Sequence, residues 1–70
     1  MQNNKVIKYR VFDGKDNYQQ SYSSELNGAN NWARDCARRV NGYVKEIVVS
    51  NGADISEKVI FDTRNKWRLE

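Results

Sequence analysis

Histidine and proline are absent from this chain, and cysteine occurs once. Each shortage removes a class of chemistry. Without histidine there is no Ser-His-Asp triad and no imidazole proton relay. One cysteine and no histidine cannot supply the four ligands of a structural zinc site. A single thiol also excludes an internal disulfide scaffold, and it suits a reducing, cytoplasmic setting. Long apolar runs are missing too. The longest, Ile47-Val48-Val49 and Val59-Ile60-Phe61, fall far short of the ~20 residues a membrane span needs. The first residues, Met1-Gln2-Asn3-Asn4-Lys5, lack the apolar stretch of a secretory signal. None of the nine asparagines begins an Asn-X-Ser/Thr sequon.

What is present fits one small domain. Seventy residues carry 12 Lys+Arg against 9 Asp+Glu, a net charge of +3, with 39% hydrophobic residues. A chain this short buries only about 60% of its unfolded surface, enough for one layer between a sheet and a helix. Leu69 and Glu70 read as a cloning scar, so residues 1–68 are expected to form the domain.

All four glycines follow Asp or Asn, at Asp13-Gly14, Asn27-Gly28, Asn41-Gly42 and Asn51-Gly52. Such pairs tolerate left-handed backbone and punctuate the chain. Residues 5–12 alternate: Ile7, Tyr9 and Val11 form one face, and Val6, Lys8, Arg10 and Phe12 the other. Residues 17–23 alternate again, so a hairpin is expected around Asp13-Gly14-Lys15-Asp16. In residues 25–41, Leu26, Ala29, Ala33, Cys36, Ala37 and Val40 recur at spacings of three and four, which predicts an amphipathic helix. Ser23 or Ser24 is the expected N-cap, with Glu25 in the first turn, Arg38 and Arg39 in the last, and Asn41-Gly42 as the stop. Gly28 disfavours a helix interior, which makes Asn27 the alternative start. Residues 43–50 and 55–62 are rich in β-branched and aromatic side chains and flank Asn51-Gly52, the pattern of a second hairpin. A three-residue loop sets Glu46 opposite Lys58, Tyr43 opposite Phe61 and Val49 opposite Ile55. A two-residue loop sets like charges opposite one another, so the longer loop is preferred. The expected fold is α+β, in the order ββαββ: a four-stranded antiparallel sheet with one helix packed on one face.

Two surfaces are candidates for function. The sheet face away from the helix is expected to carry Val6, Phe12, Val44, Val48 and Ile60 among Lys8, Arg10 and Lys58, more apolar than a solvated face needs. With Trp32 at the border of the helix's apolar stripe, these residues suggest a non-catalytic module that binds a protein partner or a second copy of itself. A charge at Val44 or Val48 should then abolish association and leave the monomer folded. Burial of the outer face by the tail, through Trp67, is the competing arrangement. The alternative function is nucleic-acid binding through Arg34, Arg38, Arg39, Lys45, Arg64, Lys66 and Arg68. Trp32 and Arg39 are close enough in angle to stack. Cys36 falls on the core face, where a thiol acts as a small hydrophobe. Asp13 to Asn17 lacks the ligand spacing of a calcium loop. No phosphate-binding or dinucleotide motif occurs. The expectation is therefore no enzyme activity, cofactor, metal or membrane insertion.

Overall fold

Alternating strands, tight turns and one amphipathic segment account for the elements of this fold. The computed structural model of the chain describes residues 5–64. It contains β1 (Lys5–Phe12), β2 (Tyr18–Ser23), α1 (Ala29–Val40), β3 (Tyr43–Ser50) and β4 (Ala53–Asp62). The strands form one antiparallel sheet in the order β2-β1-β3-β4, and α1 packs on β1, β2 and β3. This is the expected α+β fold. The apolar strands β1 and β3 take the centre. Polar β2 and charged β4 take the edges, where unpaired backbone groups meet water.

The first turn is built by one side chain. The Asp13 carboxylate accepts the N–H groups of Lys15 and Asn17 at 2.8 and 2.9 Å, and the side-chain amides of Asn17 and Gln19 at 3.3 and 3.1 Å.

The helix begins at Ala29, later than the spacing of apolar residues suggests. Gly28 sits in the left-handed region at φ 88 and caps α1 with no side-chain hydrogen bond. A residue held there cannot lie within a right-handed helix. Ser23 therefore caps nothing in α1. Its hydroxyl instead accepts the Glu25 N–H at 3.2 Å in the preceding turn, and the first turn of α1 holds no acid. The other end is as expected. Arg38 and Arg39 lie in the last turn, and Asn41 stops the helix at φ 55. The Gly42 N–H then donates to the Ala37 carbonyl at 2.8 Å. Gly42 is buried where any Cβ would fall on the Phe12 carbonyl oxygen, so only glycine allows β3 to leave the helix this close to β1.

Val11 and Val44 from the sheet meet Ala33, Cys36 and Ala37 from the helix in the core. Small side chains on α1 let the helix approach the sheet closely. Tyr9, Tyr22, Val40, Ile60 and Phe61 close the margins.

The second hairpin turns on two residues, not on the three-residue loop preferred from the sequence. Asn51 at φ 53 and Gly52 at φ 83 make a two-residue turn with Ser50 opposite Ala53, the signature of a type I′ turn. The register then shifts past Ile55, so that Ile47 faces Glu57 and Glu46 faces Lys58. It shifts again past Ile60, bringing Val44 opposite Phe61 and Tyr43 opposite Asp62. Ile55 and Ile60 are thus the extra residues of two β-bulges. The first bulge restores the charge pairing that a three-residue loop would give. The two-residue turn places Val49 opposite Asp54 instead of Ile55, and the second bulge brings Tyr43 opposite Asp62 instead of Phe61.

The register also corrects the expected outer face. Val44 lies opposite Val11, and Val48 opposite Ile7, which puts both on the helix side of the sheet. Val44 is 0% exposed. Ile60 packs against the core cluster at its bulge. Val6 and Phe12 do face away from the helix, as their alternation predicts, and Ile47 joins them opposite Lys8. Lys66, Arg68, the Trp67 tail and the suspected scar at residues 69 and 70 lie outside the described residues.

Candidate functional site

On the outer face Arg10 lies directly opposite Lys45. Like charges so placed repel, and the sheet resolves the conflict sideways. Arg10 pairs with Asp54 of β4 at 3.1 Å, and Lys45 pairs with Glu57 at 3.1 Å. The first bridge crosses the position of Ile47, which is only 1% exposed. The middle of this face is therefore a charged lattice over a buried isoleucine, not an open apolar patch.

Rings occupy the end of the same face nearest the first turn. Phe12 stacks on Tyr43 with centroids 5.2 Å apart and meets the edge of Tyr18 at 6.1 Å. Lys45 Nζ stands 5.3 Å from the Phe12 centroid, and the Arg64 guanidinium 3.8 Å from that of Tyr43. Arg64 also pairs with Asp62 at 2.9 Å and Asp16 at 3.3 Å. The Tyr43 hydroxyl donates to Asp16 at 2.7 Å. That bond to a carboxylate, together with burial, pushes the Tyr43 phenol above its ordinary value. Cations thus cover two of the three rings, and only Tyr18 is strongly exposed.

The basic residues of α1 separate around the helix. Arg34 and Arg38 both lie over Phe61, at 5.2 and 5.1 Å. Arg34 also donates to Asn30 at 2.6 Å, and Arg38 pairs with Asp35 at 2.8 Å. Arg39 acts electrostatically on Tyr22, which belongs to the opposite edge strand. Arg34 and Arg38 come together, whereas Lys45 and Arg64 sit across the sheet. The candidate nucleic-acid set does not form one patch among the described residues.

Trp32 is 46% exposed, as its border position suggests. Its ring meets Tyr22 at 5.9 Å, and no Trp32–Arg39 stack is found among the described residues. Cys36 is buried beside Tyr22, whose phenol is pushed up chiefly by burial.

Among the described residues β4 presents a long exposed run at a sheet edge. One side of this edge strand pairs with β3, and residues 53–59 are all exposed. Ile55 and Val59 are 54% and 45% exposed. Neither belongs to the set chosen from sequence. The available signal was the charge spacing of Asp54, Glu57 and Lys58 among strong β-formers, a composition natural edge strands favour. Two depressions of about 490 and 510 Å³ lie beside the helix ends, and both are wide open to solvent. The second includes Asp13, whose carboxylate is already committed to its turn. Among the described residues no helix is long and apolar enough to cross a membrane, and no three His, Cys, Asp or Glu residues gather as metal ligands. Comparison with protein-family models, curated proteins and solved structures returns no match.

Proposed function

We propose that this chain is a non-catalytic protein-binding module whose docking surface is the open edge of β4. The observation that carries the reading is the seven-residue run 53–59, exposed throughout on an edge strand and carrying Ile55 and Val59. An unpaired strand edge offers its N–H and C=O groups to an extended segment of a partner, and exposed side chains select that segment. The place of binding thus moves from the outer face expected of the sequence to the strand at its border. A second copy of the chain is one candidate partner. The basic residues give a nucleic-acid role less support, because Arg10, Arg38, Lys45 and Arg64 are each paired with an acid.

The test is capture by the immobilised chain from a lysate of its host. Wild type is compared with an Ile55→Lys/Val59→Lys variant and with Trp32→Ala. The reading expects a partner retained by wild type and Trp32→Ala but lost by the β4 variant. Retention by the β4 variant, or loss only in Trp32→Ala, contradicts it. Sedimentation of wild type over a concentration series shows whether the partner is the chain itself.

A further inference from the structure

Three of the four glycines follow asparagine, and the fourth follows Asp13. An Asn-Gly pair is open to a specific reaction, because glycine has no side chain to obstruct its own nitrogen. That nitrogen attacks the asparagine Cγ. A C–N bond forms, the Cγ–Nδ2 bond breaks, and Nδ2 leaves as ammonia with the proton lost by the glycine nitrogen. Water then opens the five-membered ring at either carbonyl and yields aspartate or isoaspartate. No oxidant or reductant is needed. The reaction does require a glycine N–H free of hydrogen bonds and room for the asparagine to fold back upon it.

The fold sorts these positions. At Asn41-Gly42 the attacking N–H is bound to the Ala37 carbonyl at 2.8 Å. Asn41 also caps α1 through its own N–H, and Gly42 is buried against the Phe12 carbonyl. At Asp13-Gly14 the carboxylate accepts four hydrogen bonds. At Asn27-Gly28 the Gly28 N–H donates no hydrogen bond among the described residues, but the Trp32 indole stands 3.5 Å from where a Gly28 Cβ would lie and the Gly28 carbonyl accepts the Trp32 N–H at 2.9 Å, so this pair is crowded on one side. Asn51-Gly52 carries none of these restraints. Both residues are exposed, nothing lies within 4 Å of a Cβ placed on Gly52, and the Gly52 N–H donates no hydrogen bond among the described residues.

We infer that Asn51 is a modification site, converted in the folded protein to aspartate and isoaspartate with water as the only co-reactant, while Asn41 is protected by the fold. The consequence is structural. Isoaspartate inserts a methylene into the main chain of a two-residue turn whose geometry sets the β3–β4 register. The product also carries one more negative charge, beside Asp54.

Trypsin separates the sites, because Asn51 falls in the 46–58 peptide, Asn41 in the 40–45 peptide and Asn27 in the 16–34 peptide. The folded chain and the chain in denaturant are incubated in parallel in mildly alkaline buffer. The peptides are then followed for a gain of one dalton and for isoaspartate. In denaturant all three Asn-Gly pairs should react at similar rates. In the folded chain the 46–58 peptide should convert at least about tenfold faster than the 40–45 peptide, because Asn41 must wait for local opening. Equal rates at Asn51 and Asn41 in the folded chain overturn the inference. So does a 46–58 peptide that stays intact while its denatured counterpart converts.

Discussion

Val44 and Ile55 lie on neighbouring strands, and a charge has opposite consequences at each. Val44 is sealed between Val11 and the helix. A carboxylate there meets no partner, so Val44→Asp should lose about 3–5 kcal/mol, enough to unfold a domain of this size. Ile55→Lys replaces an exposed side chain and should stay within about 0.5 kcal/mol of wild type. Urea unfolding of the two variants checks the contrast. The sequence expectation that a charge at Val44 spares the fold is thereby reversed. Gly42→Ala forces a Cβ onto the Phe12 carbonyl and should cost about 3 kcal/mol by the same measurement. Asp13 supplies a pH signature. Backbone N–H groups of Asn17 and Lys15 hold its carboxyl below the ordinary value. Its stabilisation is therefore complete above the unfolded pKa and is lost as the pH falls through the lower folded one. Thermal melts of Asp13→Ala should fall below those of wild type at neutral pH, and the gap should close as the pH drops below about 4.

At the scale of elements, what could be read depended on how clean each pattern was. In β1 the two faces differ, and Val6 and Phe12 were placed correctly. In β3 both parities are apolar: Tyr43, Ile47 and Val49 on one, Val44 and Val48 on the other. The local pattern offers no reason to choose, because Ile47, 1% exposed, lies between Lys8 and Glu57 on strands distant in sequence. The bulges at Ile55 and Ile60 were equally hidden, since each compensates for the turn and register around it. The helix was recognised from its spacing, but its start was set by the left-handed Gly28, which capping preferences alone did not reveal. That start leaves a testable weakness: the first turn of α1 has neither a side-chain cap nor an acid. Asn31→Asp, at an exposed first-turn position, should stabilise the protein by about 0.3–1 kcal/mol at low ionic strength, and added salt should reduce the gain. Urea midpoints measured at two salt concentrations test this.

For the whole molecule, the arrangement follows from having one helix for four strands. A twelve-residue helix reaches about 18 Å, while β4 alone is ten residues long. The helix closes a core over β1 and β3, and the far part of the β3–β4 hairpin projects beyond it. Arg10 and Lys45 of the outer face are each paired with an acid of β4, and the candidate basic set forms no single patch among the described residues. Among the described residues β4 is an edge strand that carries two exposed aliphatic side chains, Ile55 and Val59. Amide hydrogen exchange, measured on the chain alone and in complex with the captured partner, tests binding there most directly. Docking on the edge of β4 should give new protection centred on residues 53–59, with α1 and the Phe12–Tyr43 ring cluster unchanged. Protection confined to α1 or to the ring cluster, with β4 exchanging as in the free chain, would contradict it.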